Sequence, residues 1–429
     1  MKTKYKLLLL LLLVSSLAEA QSLNLRFSTY FYSWERADSI SNDSKTSHLS
    51  GYQNLLVDLS GKKWSFNTLL QTNEDLYNVN GKGFGYSFYN MYIKGTNLFN
   101  VMDVKIGRQY LFAGVSRGAI DGLQLKFKLG KNKEYQLSGF GGALTPLTYE
   151  FYPYNSLSSN FIIGGAFSYF GVRDMSATLS YMNKNYTPPS YTALRLDSMN
   201  NTENVDISFN SQADQLIGLD MNYNYLKKHF FFGKAYFDLN SNMFYRGELN
   251  ASFSVTKNMK FSAMYEYNEP QIRYNSIFWT FLHNNNQQVG GSIDYTLNSG
   301  INLFGSVTDV IFENDNSLKV QLGFNTPSYG LSYILYTGYS GESNGFNGYF
   351  NTELVKSKLS CNVGLNYSNY KLGEYAPDNQ NAFSGLLGLT YRPSPHFSID
   401  MQGQLLTNEI YKSDTRLLLG FNYWLFNKF

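Results

Sequence analysis

Cysteine, charge and long apolar runs are all scarce in this chain of 429 residues. Its single cysteine, Cys361, excludes a disulfide scaffold and a Cys-x-x-Cys-His attachment site for covalent haem. The longest apolar run, residues 7–14, is too short for a membrane helix, which needs about 18 apolar residues. Charged residues make up only 16% and the net charge is +3, which excludes a strongly basic nucleic-acid-binding protein.

Signals for catalysis and for metal binding are equally scarce. Residues 114–118 match the Gly-x-Ser-x-Gly pattern of serine hydrolases, but that elbow needs a strand-to-helix turn, and Ser116 has no evident histidine partner. The four histidines are scattered and none has metal-ligand spacing: His48, His229, His283 and His396. We therefore predict no enzyme activity, no metal and no cofactor.

The N-terminus has the three-part layout of a secretory signal peptide. Lys2, Lys4 and Lys6 precede the apolar run, and residues 18–20 form a small-x-small cleavage site. We expect a signal peptide at residues 1–20 and one mature unit at residues 21–429. No cysteine follows the site, so a lipoprotein anchor is not expected, and a short buried helix is the alternative for residues 7–14.

Aromatic residues make up 17% of the chain, and from Gln21 onward apolar and polar residues alternate. Alternation of this kind predicts strands with two unlike faces. We count about 22 such segments, within a range of 18 to 24, and most have the roughly 9–11 residues of a membrane-crossing strand. The pattern weakens near residues 84–94 and 301–312, where Asp309 falls on the apolar parity.

The connections between these segments alternate between short turns and longer polar stretches such as 144–159, 183–212, 269–287 and 339–345. Short turns on one side and longer loops on the other are typical of outer-membrane barrels, since lipid forces a spanning sheet to close on itself. We therefore predict an all-β transmembrane antiparallel β-barrel in the cell outer membrane, with no plug domain. A soluble secreted β-sandwich is the alternative, but it needs two or three domains.

Two segments carry a resemblance to known barrels. Residues 416–429 end in Phe429, and the alternation through Leu425 and Tyr423, with Gly420, resembles the C-terminal assembly signal of Gram-negative outer-membrane barrels; Asn427 departs from it. Residues 104–109, followed by 118–122, resemble the Gly-Arg-Gln hairpin common in large porin-like channels. The resemblance implies a porin-like barrel of no particular family, inserted by the barrel assembly machinery.

Within that hairpin, Arg108 and Asp121 are symmetric about the loop centre, which predicts a cross-strand ion pair. Arg108 shares the parity of Val104 and Ile106, so strict alternation would aim it at lipid. We expect either a bulge at Gly107 that turns Arg108 inward or a position at the headgroup rim, and a structural pair rather than a substrate contact.

The predicted lumen face carries eight basic and eight acidic residues. Lys126 and Lys128, with Arg108 nearby, form the local basic cluster on that face, and Arg246 and Glu248 are further lumen or constriction candidates alongside Arg108 and Asp121. Balanced charge of this kind does not indicate a strongly ion-selective ring.

These features predict a channel for small polar solutes, narrowed by loops 144–159, 183–212 and 269–287. The alternative is a scaffold barrel around a partner, either a multihaem cytochrome or a component of a secretion machine, because about 22 strands enclose a lumen that is usually plugged. The expected partners are outer-membrane lipid, the barrel assembly machinery and either a small polar solute or a lumen-filling protein, with no nucleic acid.

Overall fold

The computed structural model describes residues 20–38, 45–77, 83–151, 157–187, 190–196, 198–208, 214–270, 284–313, 315–339, 341–372 and 378–429. The predicted signal peptide lies outside these residues except for Ala20. No helix in the described ranges is long and apolar enough to cross a membrane.

The described residues form 24 strands. Their bounds are β1 (Ala20–Asp38), β2 (Lys45–Gly61), β3 (Trp64–Asp75), β4 (Gly85–Leu98), β5 (Met102–Ala113), β6 (Ser116–Leu129), β7 (Tyr135–Leu144), β8 (Asn160–Tyr169), β9 (Met175–Tyr186), β10 (Tyr191–Leu196), β11 (Thr202–Ile207), β12 (Asp214–Tyr225), β13 (His229–Asp238), β14 (Met243–Ser254), β15 (Met259–Asn268), β16 (Asn286–Thr296), β17 (Asn302–Phe312), β18 (Asp315–Asn325), β19 (Tyr329–Gly338), β20 (Gly341–Val355), β21 (Leu359–Leu372), β22 (Gln380–Ser394), β23 (Phe397–Thr407) and β24 (Tyr411–Lys428).

Twenty-two of these strands form one closed antiparallel barrel. Successive strands pair with each other, and β1 pairs with both β2 and β24, so the sheet has no free edge. The strands β10 and β11 pair only with each other, as a hairpin between β9 and β12. The prediction of an all-β barrel of about 22 strands is confirmed, and no separate plug domain occurs in the part of the chain described.

The two faces of the wall differ as the alternation predicts. Odd-numbered residues such as Ile163, Leu219 and Leu387 are exposed on the outer face. Even-numbered residues on the inner face of β7–β13 are largely polar, and they include Ser138, Ser168, Ser180, Asp220 and Lys234. Exposed apolar side chains outside and polar ones inside are the arrangement that lipid around an aqueous lumen requires.

The connections are less regular than the sequence predicts. The stretch 339–345 is expected to be a long loop, but β19 ends at Gly338 and β20 begins at Gly341, so residues 341–345 belong to a strand. Its polar residues instead continue the ladder of β20 with β21, beginning with the pair Gly341↔Leu372. Polarity alone did not separate a strand end from a loop here, since one face of every strand is polar.

A bulge explains the weak alternation near residues 84–94. In the ladder between β3 and β4, Leu69 is opposite Asn90 while Leu70 is opposite Phe88, so Tyr89 is an extra residue. One inserted residue reverses the parity of everything beyond it. Asp309 has no such explanation, because it stays in register between the apolar Val289 and Leu318.

The seam between β24 and β1 is held by a buried amide on the lumen side. The Asn422 side-chain carbonyl accepts hydrogen bonds from Ser28 (2.7 Å) and Tyr30 (2.8 Å). Its amide nitrogen donates to Ser398 (3.3 Å) and Asp400 (2.6 Å). A single side chain therefore links three strands across the closure.

The predicted assembly-signal residues lie on both faces of β24. Gly420 leaves room for the ring of Tyr30, since a Cβ at residue 420 would lie 2.6 Å from that ring. Tyr423, Leu425 and Phe429 are exposed on the outer side or at the end of the strand. The outer residues are free to contact lipid or an insertion partner, whereas Gly420 serves the packing of the seam.

The seam network predicts a stability defect. Asn422→Ala leaves buried hydroxyl and carboxyl groups unsatisfied, which costs about 1–3 kcal/mol. We expect a lower unfolding temperature, measured by heat-modifiable mobility in gels. Asn427→Ala, on the same strand but exposed, is the matched control, and equal effects of the two changes would contradict the role of Asn422.

Candidate functional site: an inward-folded hairpin in the lumen

The end of the β5–β6 hairpin leaves the barrel wall. β5 pairs with β4 only as far as Arg108, opposite Met91, and β6 resumes pairing with β7 at Ile120. Between these points β5 and β6 pair only with each other, up to Ala113 opposite Ser116. We call residues 109–120 the inward hairpin.

Glycines allow the chain to bend at the root of this hairpin. Gly107 has φ +122° and Gly118 has φ +148°, values that residues with a side chain rarely adopt. A Cβ at residue 107 would also collide with the backbone carbonyl of Met91 on β4. The bend therefore depends on these glycines.

The tip of the inward hairpin is docked on the neighbouring inner wall, at β9 and β12. The Val115 N–H donates to the Ser180 hydroxyl on the lumen face of β9 (3.0 Å). The Val115 side chain lies against Gly218 of β12, where a Cβ would collide with it. The hairpin thus crosses the inner surface of β7, β8 and β9 and reaches β12.

An apolar cluster holds the hairpin on the wall. Leu111, Val115 and Ile120 on its underside are 0–5% exposed, and they pack on an apolar patch of the lumen face made of Phe140, Ile162, Met182, Leu216 and Tyr236. Burying each aliphatic side chain contributes about 1.5–3 kcal/mol. The patch would otherwise face water, so its burial favours the docked hairpin.

The opposite face of the inward hairpin is turned away from the wall. It carries Tyr110 and Phe112, which are 45% and 78% exposed, and their rings are 4.6 Å apart. Arg117, on the neighbouring strand, is also exposed. Because the hairpin occupies part of the barrel interior, these side chains border the remaining opening.

Arg108 is fixed at the point where β5 leaves β4. It is 2% exposed and forms two 2.7 Å hydrogen bonds to the two carboxylate oxygens of Asp121. It also donates to the backbone carbonyls of Phe88 (3.2 Å), Tyr149 and Glu150 (3.2 Å). Paired, multiply bonded guanidinium groups of this kind tolerate burial.

The part of the β7–β8 connection whose carbonyls Arg108 binds covers the gap that the inward hairpin leaves beside β4. The Phe88 N–H on β4 donates to the carbonyl of Tyr149 (2.9 Å), and the ring of Phe151 lies 4.2 Å from the guanidinium. Arg108 keeps the outward parity that the sequence gives it, and no register shift occurs between β5 and β6 at Gly107. Residues 149–151 of the β7–β8 connection bury Arg108 without the expected bulge, and its position at the headgroup rim stays a prediction.

Arg246 and Glu248 lie in a chain of ion pairs across β13, β14 and β15. Glu248 contacts Lys234 (2.9 Å) and Arg246 (3.4 Å), and Arg246 also contacts Glu266 (3.0 Å). Two basic and two acidic groups therefore neutralise each other along this wall.

The other lumen candidates are on β6. The Lys128 ammonium pairs with Asp103 of β5 at 2.7 Å, and Lys126 is opposite Asp103 in the ladder. Arg108 lies on the outward parity and the two lysines on the inward one, so the structure does not bring the three together as a basic cluster.

The remaining chemical motifs carry no site in the described structure. Ser116 is fully buried within the inward hairpin, next to a strand-to-strand turn rather than in a nucleophile elbow. No group of three or more His, Cys, Asp or Glu side chains in the described ranges could hold a metal ion.

The narrowing of the bore by loops 144–159, 183–212 and 269–287 stays a prediction. Residues 149–151 of the first loop cover the gap in the wall. The second loop contains the β10–β11 hairpin, and most of 269–287 lies outside the described residues. The usable signal was the apolar residues on lumen parity, Phe140, Ile162 and Met182, which require a cover that no strand of the wall supplies.

The closed sheet, the apolar outer face and the polar bore together define a transmembrane β-barrel of the porin-like, outer-membrane class. No protein-family model matches the sequence, and no curated protein matches it.

Distantly similar solved structures include a translocation pore and an outer-membrane protein, OpdK of Pseudomonas aeruginosa. The PapC usher translocation pore of the P pilus is 10% identical, with 93% of this chain and 99% of that chain covered and a TM-score of 0.47. OpdQ of Pseudomonas aeruginosa is 8% identical (94% and 97% covered, TM-score 0.44), and OccAB4 of Acinetobacter baumannii is 10% identical (95% and 99% covered, TM-score 0.43). With likeness this distant, the class of the chain rests on its own strand pairing and faces.

The docking of the hairpin can be tested by placing a charge in its underside. Leu111→Asp puts a carboxylate into the apolar cluster, where an unpaired charge is costly. We expect the amides of residues 109–120 to exchange with solvent at least several-fold faster, measured by hydrogen–deuterium exchange mass spectrometry. Phe112→Asp, on the exposed face, is the control, and equal protection in the two variants would contradict the docked arrangement.

Proposed function

We propose that this barrel is a passive outer-membrane channel for small polar solutes and that the inward hairpin is its constriction. Barrels of about 16–18 strands leave an aqueous channel, and about 22 strands enclose a wider lumen that is usually plugged. The observation that carries the proposal is the hairpin itself, which occupies part of the bore of this 22-stranded barrel and leaves an opening bordered by Tyr110, Phe112 and Arg117.

The proposed orientation in the membrane rests on the strand count together with the lengths of the connections. An even number of strands returns β24 to the end of the barrel where β1 begins. We place that end in the periplasm, because periplasmic turns are short and external loops are longer. The connection containing β10 and β11 then lies outside the cell, and a solute entering from outside meets the hairpin first.

Insertion into the membrane is assigned to the barrel assembly machinery. The exposed outer face of β24, with Tyr423, Leu425 and Phe429, supports this assignment. The Phe429 N–H donates to the carbonyl of Gln21 on β1 (3.0 Å), so the last residue also takes part in closure.

Removal of the C-terminal aromatic tests this assignment. We expect Phe429→Ala to lower the amount of folded barrel in outer-membrane fractions several-fold, while the protein refolded from urea into detergent retains wild-type heat-modifiable mobility. Asn427→Ala is the control on the same strand. An equal loss in vivo and in vitro would show that Phe429 serves the fold and not recognition.

A lumen-filling protein partner is the second candidate function. It is favoured by the width that 22 strands enclose. The inward hairpin covers the wall patch of β7–β13 that such a partner would otherwise contact. Purification of the native barrel decides the matter, since a scaffold brings down its partner in stoichiometric amount and a channel does not.

Single-channel recording in planar bilayers tests the channel and its constriction together. In the shortened variant, an Asn-Gly turn joins Arg108 directly to Asp121 and replaces residues 109–120. We expect the wild-type protein to conduct and this variant to conduct several-fold more, because the bore loses its occupant.

Shortening the β10–β11 hairpin, residues 191–207, is the matched control and should leave conductance unchanged. An increase on shortening β10–β11 but not the inward hairpin would move the constriction to the β9–β12 connection. Absence of conductance in every variant, with folding shown by heat-modifiable mobility, would overturn the channel.

A further inference from the structure

Three lysines lie side by side on the lumen face at the foot of the inward hairpin. Lys94 of β4 is directly opposite Lys105 of β5. Lys126 of β6 is opposite Asp103, two residues from Lys105 along the same strand. The neighbouring Ile106 is exposed on the outer face, so alternation places the three lysines inside. We call Lys94, Lys105 and Lys126 the lysine cluster.

The charges of the lysine cluster repel one another. The ammonium group of Lys105 interacts electrostatically with those of Lys94 and Lys126. Like charges directly opposite each other destabilise a sheet. This repulsion makes the space among the three ammonium groups a favourable position for an anion.

Asp103, which lies opposite Lys126, leaves the lysine cluster with a net positive charge. Asp103 also interacts with Lys94, but its Oδ2 is engaged by Lys128 at 2.7 Å. Asp58 lies on β2, where it accepts a hydrogen bond from Ser60 (3.0 Å). Within the described residues, no ion pair joins a cluster lysine to a carboxylate, in contrast to the balanced chain of Lys234, Arg246, Glu248 and Glu266 on the opposite stretch of wall.

The cluster is also placed where a solute passes. Lys105 precedes the hairpin bend at Gly107 by two residues, and its Nζ lies 4.4 Å from the centre of the Tyr92 ring, which holds the side chain over the wall. The row of cross-strand neighbours that contains Lys105 continues through Gln124 to Phe140, which lies under the hairpin. A solute that clears the hairpin therefore meets uncompensated positive charge next.

We propose that the lysine cluster is an anion-binding subsite that makes the bore select small carboxylate- or phosphate-bearing solutes. This inference rests on the proposed channel function. A ring or patch of one charge sign in a constriction sets the sign of the permeating ion, and Lys supplies freely rotating donors that suit either oxyanion. An anion between the three ammonium groups relieves the repulsion that the wall leaves in place.

Reversal potentials under a KCl gradient measure the selectivity. We expect the wild-type channel to prefer chloride, and Lys105→Gln/Lys126→Gln to reduce the anion-to-cation permeability ratio several-fold. Lys260→Gln/Lys319→Gln removes the same charge from lumen positions on β15 and β18 that lie far from the cluster along the sheet. This control should change the permeability ratio much less. An equal change would show that the selectivity comes from the overall charge of the lumen and not from the lysine cluster.

A second measurement does not depend on conduction. Inorganic phosphate and succinate are each added to the folded barrel during labelling with an amine-acylating reagent, and mass spectrometry reads each lysine. We expect protection of Lys105 and Lys126 but not of Lys260 and Lys319, and the more protective anion identifies the preferred class. Uniform labelling would overturn the subsite, whether or not the barrel conducts, whereas protection without conductance would overturn only the channel.

Discussion

Lipid offers no hydrogen-bond partner to a peptide group, and the rest of this structure follows from that constraint. Each backbone group of a spanning sheet needs a neighbouring strand, so β1 must meet β24, and the buried Asn422 ties the two strands together on the inner face. Closure with 22 strands removes every edge but encloses a wide bore. The inward hairpin partly fills that bore without a separate domain.

The inward hairpin leaves part of β4 without a neighbouring strand, and nearby residues replace the lost pairing. When β5 and β6 leave the wall, β4 loses a partner beyond Met91. The β7–β8 loop takes that place through the Phe88–Tyr149 hydrogen bond, and Arg108 binds the loop and Asp121 at once. The Arg108–Asp121 pair thus holds the displaced hairpin in place, and the burial of Arg108 is tolerated because each of its five N–H donors has an acceptor.

The sequence predicts those features of the fold that depend on the local alternation of apolar and polar residues. The strand number, the closure, the outer and inner faces and the Arg108–Asp121 register are all readable from parity and symmetry. The sequence does not predict that the hairpin folds into the bore, because this depends on the contact between Val115 and Ser180, which are far apart in the chain. The parity exceptions Phe140 and Ile162 mark the covered patch, but a single sequence does not show which segment covers them.

The proposed constriction depends on the tip of the β5–β6 hairpin resting on the inner wall at β9. A cysteine pair, Val115→Cys with Ser180→Cys in a Cys361→Ser background, tests it directly in outer-membrane vesicles. We predict rapid intramolecular crosslinking by a short bis-methanethiosulfonate reagent and none for Val115→Cys paired with Lys319→Cys. Free, equally reactive thiols in both pairs would contradict the docked hairpin and, with it, the proposed constriction.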